Sequence, residues 1–105
     1  MHSLRSKDRR PTHPGEILRE DVLPALGVTQ EVLAQRLGVS RRTVSEIIHE
    51  RRPVTTDMAI RLGRLFDTSP TSWINMQYAV DVWELERANR NEYAKIRQFP
   101  KSKVS

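Results

Sequence analysis

Apolar positions recur along this chain at helical intervals of three and four, and a cap, a proline or a glycine breaks each run. His13-Pro14-Gly15-Glu16 reads as a helix start, because proline suits the first helical position and an acidic residue the first turn. Ile17, Leu18 and Val22 follow at helical spacing. Pro24 is expected to stop this helix after about two turns, with Leu26-Gly27 leading out. Thr29 caps a second helix to Leu37, with Val32, Leu33 and Leu37 as its apolar stripe and Gly38 as the left-handed residue after its end. Ser40 caps a third helix, in which Val44, Ile47 and Ile48 face inward. Arg51-Arg52-Pro53-Val54 is a connector, after which Thr55 or Thr56 caps a helix from Asp57 to Phe66. Ser69-Pro70 opens a fifth helix, and no Gly or Pro interrupts the chain from Thr71 to Phe99. No segment sustains strand-type alternation, although Met76–Val82 is locally ambiguous, so the fold class is all-α.

The informative stretch is Gln30 to His49, two short helices joined at Leu37-Gly38-Val39. Ala34 sits where they cross, so that a small side chain permits close approach. Gly38 turns the chain through a conformation that costs other residues about 1 kcal/mol. Leu33, Leu37, Val39, Val44 and Ile47 fill the angle between the helices. The second helix is left with a polar face of Ser40, Arg41, Arg42, Ser45, Glu46 and His49, led by two arginines at its N-terminal end. That is what a recognition helix needs to enter a DNA major groove. Arg41 or Arg42 can pair bidentately with guanine O6 and N7, for roughly 1–3 kcal/mol of discrimination each. Glu46 can accept from a cytosine amino group or orient an arginine. Ser40, Thr43 and Ser45 suit phosphate or base-edge hydrogen bonds, and His49 suits a phosphate contact or simple solvation. Gln30 stands at a helix start where its side chain and the backbone N–H groups can hold a phosphate. Arg51 and Arg52 would flank the groove and touch the backbone. A helical hairpin with a solvated arginine face is the competing account. The coincidence of crossing geometry, arginine-led face and charge distribution favours DNA.

The 105 residues suit one domain, 37% hydrophobic and 30% charged. The net charge of +5 is unevenly placed. Met1–Arg10 and Lys95–Ser105 are net basic, whereas the intervening chain is slightly acidic, and all four lysines (Lys7, Lys95, Lys101, Lys103) lie in the two ends. Two basic ends attract a polyanion without sequence preference. Residues 1–12 have little to bury and read as a disordered basic arm, 13–88 as the helix-turn-helix domain (motif 29–49) with its C-terminal helix, and 89–105 as a helix end and basic tail. The absence of cysteine excludes a disulfide scaffold and a thiol nucleophile. No apolar run is long enough to span a membrane and no secretory signal is present, so the expected location is cytoplasmic.

The C-terminal helix carries two apolar stripes, Trp73, Met76, Val80, Trp83 and Ile74, Tyr78, Val82, Leu85. One stripe can pack on the domain. The second exceeds what a small domain covers, which makes Tyr78, Val82, Trp83 and Leu85 candidates for a dimer or partner interface. Two-fold pairing would set two recognition helices about 34 Å apart, matching a palindromic operator.

Three segments together resemble the Cro/repressor-like (XRE) helix-turn-helix family, and more narrowly the HigA-type antitoxins, also called virulence-associated protein I. They are HPGEILRED at His13–Asp21, TQEVLAQRLGVSRRTVSEII at Thr29–Ile48, and the run from Arg51 to Glu86 that ends SWINMQYAVDVWELE. The resemblance implies a five-helix lambda-repressor-like domain with an extended C-terminal helix, usually a homodimer. It implies a type II antitoxin that neutralises a HigB-like ribonuclease toxin and represses its own operon. Gln30, Ser40, Arg41, Arg42, Thr43 and Glu46 match the family's DNA-contacting positions. A stand-alone XRE-type repressor without a toxin partner is the alternative, and an interaction module without DNA binding a third reading.

Catalysis is not supported. His2, His13 and His49 are scattered, and no buried acid orients the Ser45–His49 pair. The carboxylate pairs on the first and last helices suit solvated faces, there is no Gly-rich phosphate loop, and neither a metal nor a cofactor is expected.

Overall fold

The computed structural model describes residues 9–100. The expectations for residues 1–8, including His2, and for 101–105 lie outside the described residues. Among the described residues every regular element is helical: α1 (Pro14–Ile17), a wide turn (Leu18–Val22), α2 (Leu23–Leu26), α3 (Gln30–Leu37), α4 (Arg41–Ile48), α5 (Thr56–Phe66), α6 (Pro70–Ala88) and α7 (Arg90–Ala94). The all-α class of the sequence reading is the architecture observed.

Local chemistry sets the ends of these elements. Thr29 accepts from the Val32 N–H, Ser40 from Thr43, Thr55 from Met58 and Ser69 from Thr71, each supplying an acceptor to a helix start that lacks one. Gly38 closes α3 at φ 74°. The first helix departs from expectation. Pro24 does not stop it, because the preceding turn widens so that the Leu23 N–H donates five residues back to the Leu18 carbonyl. The wider ring relieves the clash that a proline causes in a regular helix. The chain stays helical to Leu26, and Gly27 ends it at φ 66°.

The helices enclose one core. Leu18 comes from the wide turn, Leu33 and Leu37 from α3, Ile47 and Ile48 from α4, and Leu62 from α5. Full burial of such side chains contributes about 1.5–3 kcal/mol each. Val32 is a correction to the expected α3 stripe: it stays 38% exposed at the edge of an apolar hollow with Leu26, Val28 and Phe66. Of α6, Trp73, Gln77 and Val80 are buried, whereas every residue from Glu84 onward is exposed. Trp73 tilts against Phe66 and donates its indole N–H to the Thr68 hydroxyl at 2.9 Å. The uninterrupted run to Phe99 does not form one helix. α6 ends at Ala88, Asn89 adopts a non-helical φ of −123°, and α7 is a separate short helix.

Arg10, assigned from sequence to the basic arm, is held in the domain. Its guanidinium donates to Glu50 at 2.6 Å and to Glu84 at 3.0 Å. No described helix is long and apolar enough to cross a membrane.

Candidate nucleic-acid interface

α3 and α4 meet across Gly38 with Ala34 and Val44 buried between them, which turns the opposite side of α4 outward. That side carries Arg41, Arg42, Ser45, Glu46 and His49. A polar groove lined by Arg41, Arg42, Ser45, Glu46 and Arg51 runs along it. The structure therefore brings the recognition-helix residues and Arg51 together.

The cations on this face come in two kinds. Arg41 and Arg51 are exposed and make no ion pair among the described residues. Arg42 and Arg52 share one carboxylate: Arg42 Nε donates to Glu46 Oε2 at 3.1 Å, and Arg52 donates to Glu46 Oε1 through Nε at 2.8 Å and Nη2 at 2.6 Å. These bonds from Arg52 and Arg42 hold the Glu46 carboxyl below the usual carboxylate range. The free arginines suit phosphates, and the open Nη edge of Arg42 suits a bidentate acceptor.

The remaining expected contacts are placed with local partners. The Ser40 and Thr43 hydroxyls lie 2.9 Å apart, and Ser40 also accepts from the Thr43 N–H, so both are engaged in starting α4. Gln30 opens α3, half-buried. His49 Nδ1–H donates to the Ser45 carbonyl at 2.8 Å, with the Ser45 hydroxyl 3.4 Å away. The ring is thereby oriented by backbone, in a geometry unlike a base activating a serine. Among the described residues no group of His, Asp or Glu has the arrangement of a metal site.

Sequence reasoning missed the residues that hold this face in place. Glu50, with φ 62° directly after α4, accepts from Arg10 and, at 3.2 Å, from Arg19. Arg10 and then Arg19 hold its carboxyl below the usual range against the opposing effect of burial. Arg19 Nη1 also donates to the Ile48 carbonyl at 2.7 Å, which satisfies the C-terminal end of α4. His13 is buried, its Nδ1 accepts from the Gly15 N–H at 2.9 Å, and burial lowers its pKa. Gln77 fixes the connector: its Oε1 accepts from the Val54 N–H at 2.8 Å, while its Nε2 donates to Asp81. A polar residue between Trp73 and Val80 on the packed stripe was the available signal for that role.

On the outer side of α6, Tyr78, Val82 and Leu85 are 58%, 54% and 53% exposed. Trp83 is half-buried beside them, with the Arg87 guanidinium 4.6 Å over its ring and its indole N–H buried without an acceptor among the described residues.

The helix-turn-helix family model matches residues 18–73. Antitoxin HigA-1 of Vibrio cholerae is 37% identical over 98 residues, covering 93% of this chain and 89% of the relative. An uncharacterized HTH-type transcriptional regulator of Escherichia coli, YbaQ, is 42% identical over 89 residues, 85% of this chain and 79% of the relative. The solved structure of Pseudomonas aeruginosa antitoxin HigA with the higBA promoter superposes with a TM-score of 0.82 at 41% identity, over 87% of this chain and 100% of that one.

Proposed function

This chain belongs to the XRE helix-turn-helix family, HigA-type antitoxins among them, and on that premise we propose that it is a sequence-specific DNA-binding antitoxin. In this reading it neutralises a HigB-like ribonuclease toxin and represses its own operon as a cytoplasmic homodimer. The observation that carries the reading is the outward face of α4, where Arg41, Arg42, Glu46 and Arg51 line one polar groove. The relative of the same fold named with its promoter supports it.

Each residue then has a role. Arg42, at the N-terminal end of α4, reads a guanine edge, with Arg41 beside it. Gln30 and the start of α3 hold a phosphate, as do Ser45, His49, Arg51 and Arg52 around the groove. Ser40 and Thr43 set the start of the recognition helix and keep lone pairs for the backbone. Tyr78, Val82 and Leu85, with Trp83 at their edge, pair two copies. The DNA-binding unit spans 13–88, with the basic segments on either side adding attraction that ignores sequence. No step of this function calls for catalysis.

The test is a gel shift with the duplex immediately upstream of the chain's own operon against a scrambled duplex, at two salt concentrations. Preferential binding that weakens with salt and is lost in Arg41→Ala/Arg42→Ala supports the reading. Equal weak binding to both duplexes would sink it. Similarity to a protein named only as a transcriptional regulator favours a second reading, a stand-alone repressor. Co-purification with the product of an adjacent toxin-like gene separates the two.

A further inference from the structure

Glu46 is a negative charge in the middle of a face otherwise suited to a polyanion, and it commits one oxygen to each of two arginines. Arg42 projects from α4 with 84% of its side chain exposed, yet its Nε is tied one helical turn along. Arg52 reaches back from the connector and places both Nε and Nη2 on the other oxygen. This bonding divides the donors. Arg42 keeps its Nη1–Nη2 edge open, the edge that matches guanine O6 and N7, whereas Arg52 keeps only its far side for a phosphate. Arg41 and Arg51, with no such tether among the described residues, are free to take any phosphate in reach.

We propose that Glu46 is a selectivity-setting positioning residue, which keeps Arg42 and the tethered edge of Arg52 off neighbouring phosphates so that Arg42 engages only a matching base edge. The inference rests on the DNA-binding reading. Its physical content is a trade. A carboxylate beside DNA weakens binding to every sequence. The same carboxylate removes from mismatched complexes the contacts that two untethered arginines would make, and a guanine edge recovers the Arg42 contact in the matched one. Glu46 already accepts three hydrogen bonds from the two arginines, and it is through them that it acts.

The test uses the full chain, the upstream duplex and its scrambled counterpart, with affinities measured by fluorescence anisotropy at several salt concentrations. Glu46→Gln keeps the shape and removes the charge. Glu31→Gln makes the same charge change on an exposed α3 residue that no ion pair ties to either arginine. The expected result for Glu46→Gln is a large gain in affinity for the scrambled duplex and a smaller one for the upstream duplex, so that the ratio falls about tenfold. The salt slope on the scrambled duplex steepens by about one released counterion. Glu31→Gln shifts both affinities together and leaves the ratio in place. Parallel shifts for Glu46→Gln would overturn the inference alone and reduce Glu46 to a charge. A wild-type chain that does not distinguish the duplexes would overturn both it and the DNA-binding reading.

Discussion

Gly15 lies against the main-chain carbonyl of Ile47, where the first turn of α1 crosses the end of α4. A Cβ at residue 15 would overlap the Ile47 oxygen, with the His13 ring next at 3.1 Å. Both immediate neighbours are held: Ile47 is buried on the recognition helix, and His13 is the cap of α1. The absence of a side chain here sets the distance between the N-terminal helix and the helix that carries the candidate interface.

Gly15→Ala should therefore destabilise the fold by about 1–3 kcal/mol, the ordinary cost of overpacking, despite alanine's better helix propensity. Gly27→Ala meets no atom within 4 Å and loses only through its φ of 66°, at about 1 kcal/mol. Urea unfolding of the two variants checks the order. A Gly15→Ala chain as stable as wild type would mean that α1 shifts freely on α4.

Burial lowers the pKa of His13, so the unfolded chain binds the proton more readily than the folded one. Glu50, Glu84 and Asp81 oppose that shift and Arg10 adds to it. The His13 contribution is fully present above the unfolded value of about 6.5 and is lost as pH falls through the folded value. Protonation also removes the lone pair that accepts from Gly15. The urea midpoint should hold above pH 7 and fall as pH drops below about 6.5, and His13→Asn, which preserves a capping oxygen, should flatten that fall. The Glu50 carboxyl, with its pKa lowered, contributes above the ordinary carboxylate value and loses that contribution at lower pH. An unchanged fall in His13→Asn would assign the effect elsewhere.

The helices legible in the sequence are those whose ends are made locally. Thr29, Ser40, Thr55 and Ser69 each cap within three residues of themselves, so nearby chemistry suffices to find them. The polar face of α4 was legible for the same reason, as a 3.6-residue pattern. Passage through Pro24 was not, because Leu18 and Leu23 pack in or against the core and favour a widened turn over a stop, which is a tertiary effect. Nor was the clamp on Glu50, whose partners lie 40 and 31 residues away. Val32 was misplaced because periodicity gives the direction of a stripe and not its width.

Glu50 combines a left-handed backbone with two ion pairs. Glu50→Gly and Glu50→Ala both remove the carboxylate that Arg10 and Arg19 share, but only glycine accepts φ 62° without a steric cost. The glycine variant should be the more stable of the two by about 1 kcal/mol. Thermal melts of both decide it. Equal stability, or a more stable alanine, would show that the left-handed turn after α4 is not retained.

Arg42→Ala and Arg51→Ala should differ in kind. Loss of Arg42 removes a bidentate base contact, weakens operator binding roughly tenfold and relaxes preference at one position. Loss of Arg51 removes an untethered phosphate contact, weakens all duplexes alike and lowers the salt slope by about one. Binding to a set of single-base operator variants separates the two. Matching losses on operator and random DNA for both variants would defeat the assignment.

The outer stripe of α6 leads to a prediction about assembly. Tyr78, Val82 and Leu85 sit at i, i+4 and i+7, so all three large side chains share one face, and each is more than half exposed. Contiguous apolar faces of this kind on a small soluble chain mark contacts with another surface. Val82 lies at the centre and outside the core, so Val82→Asp should leave the helical content intact while placing two facing carboxylates in a two-fold interface. The expected outcome is a halved mass in sedimentation, with operator affinity falling by roughly a hundredfold as two linked half-site contacts become independent. Single half-site binding should barely change, because α4 is untouched. A Val82→Asp chain that remains dimeric, or a wild-type chain that is monomeric at the concentrations where it binds its operator, would remove this face from the assembly.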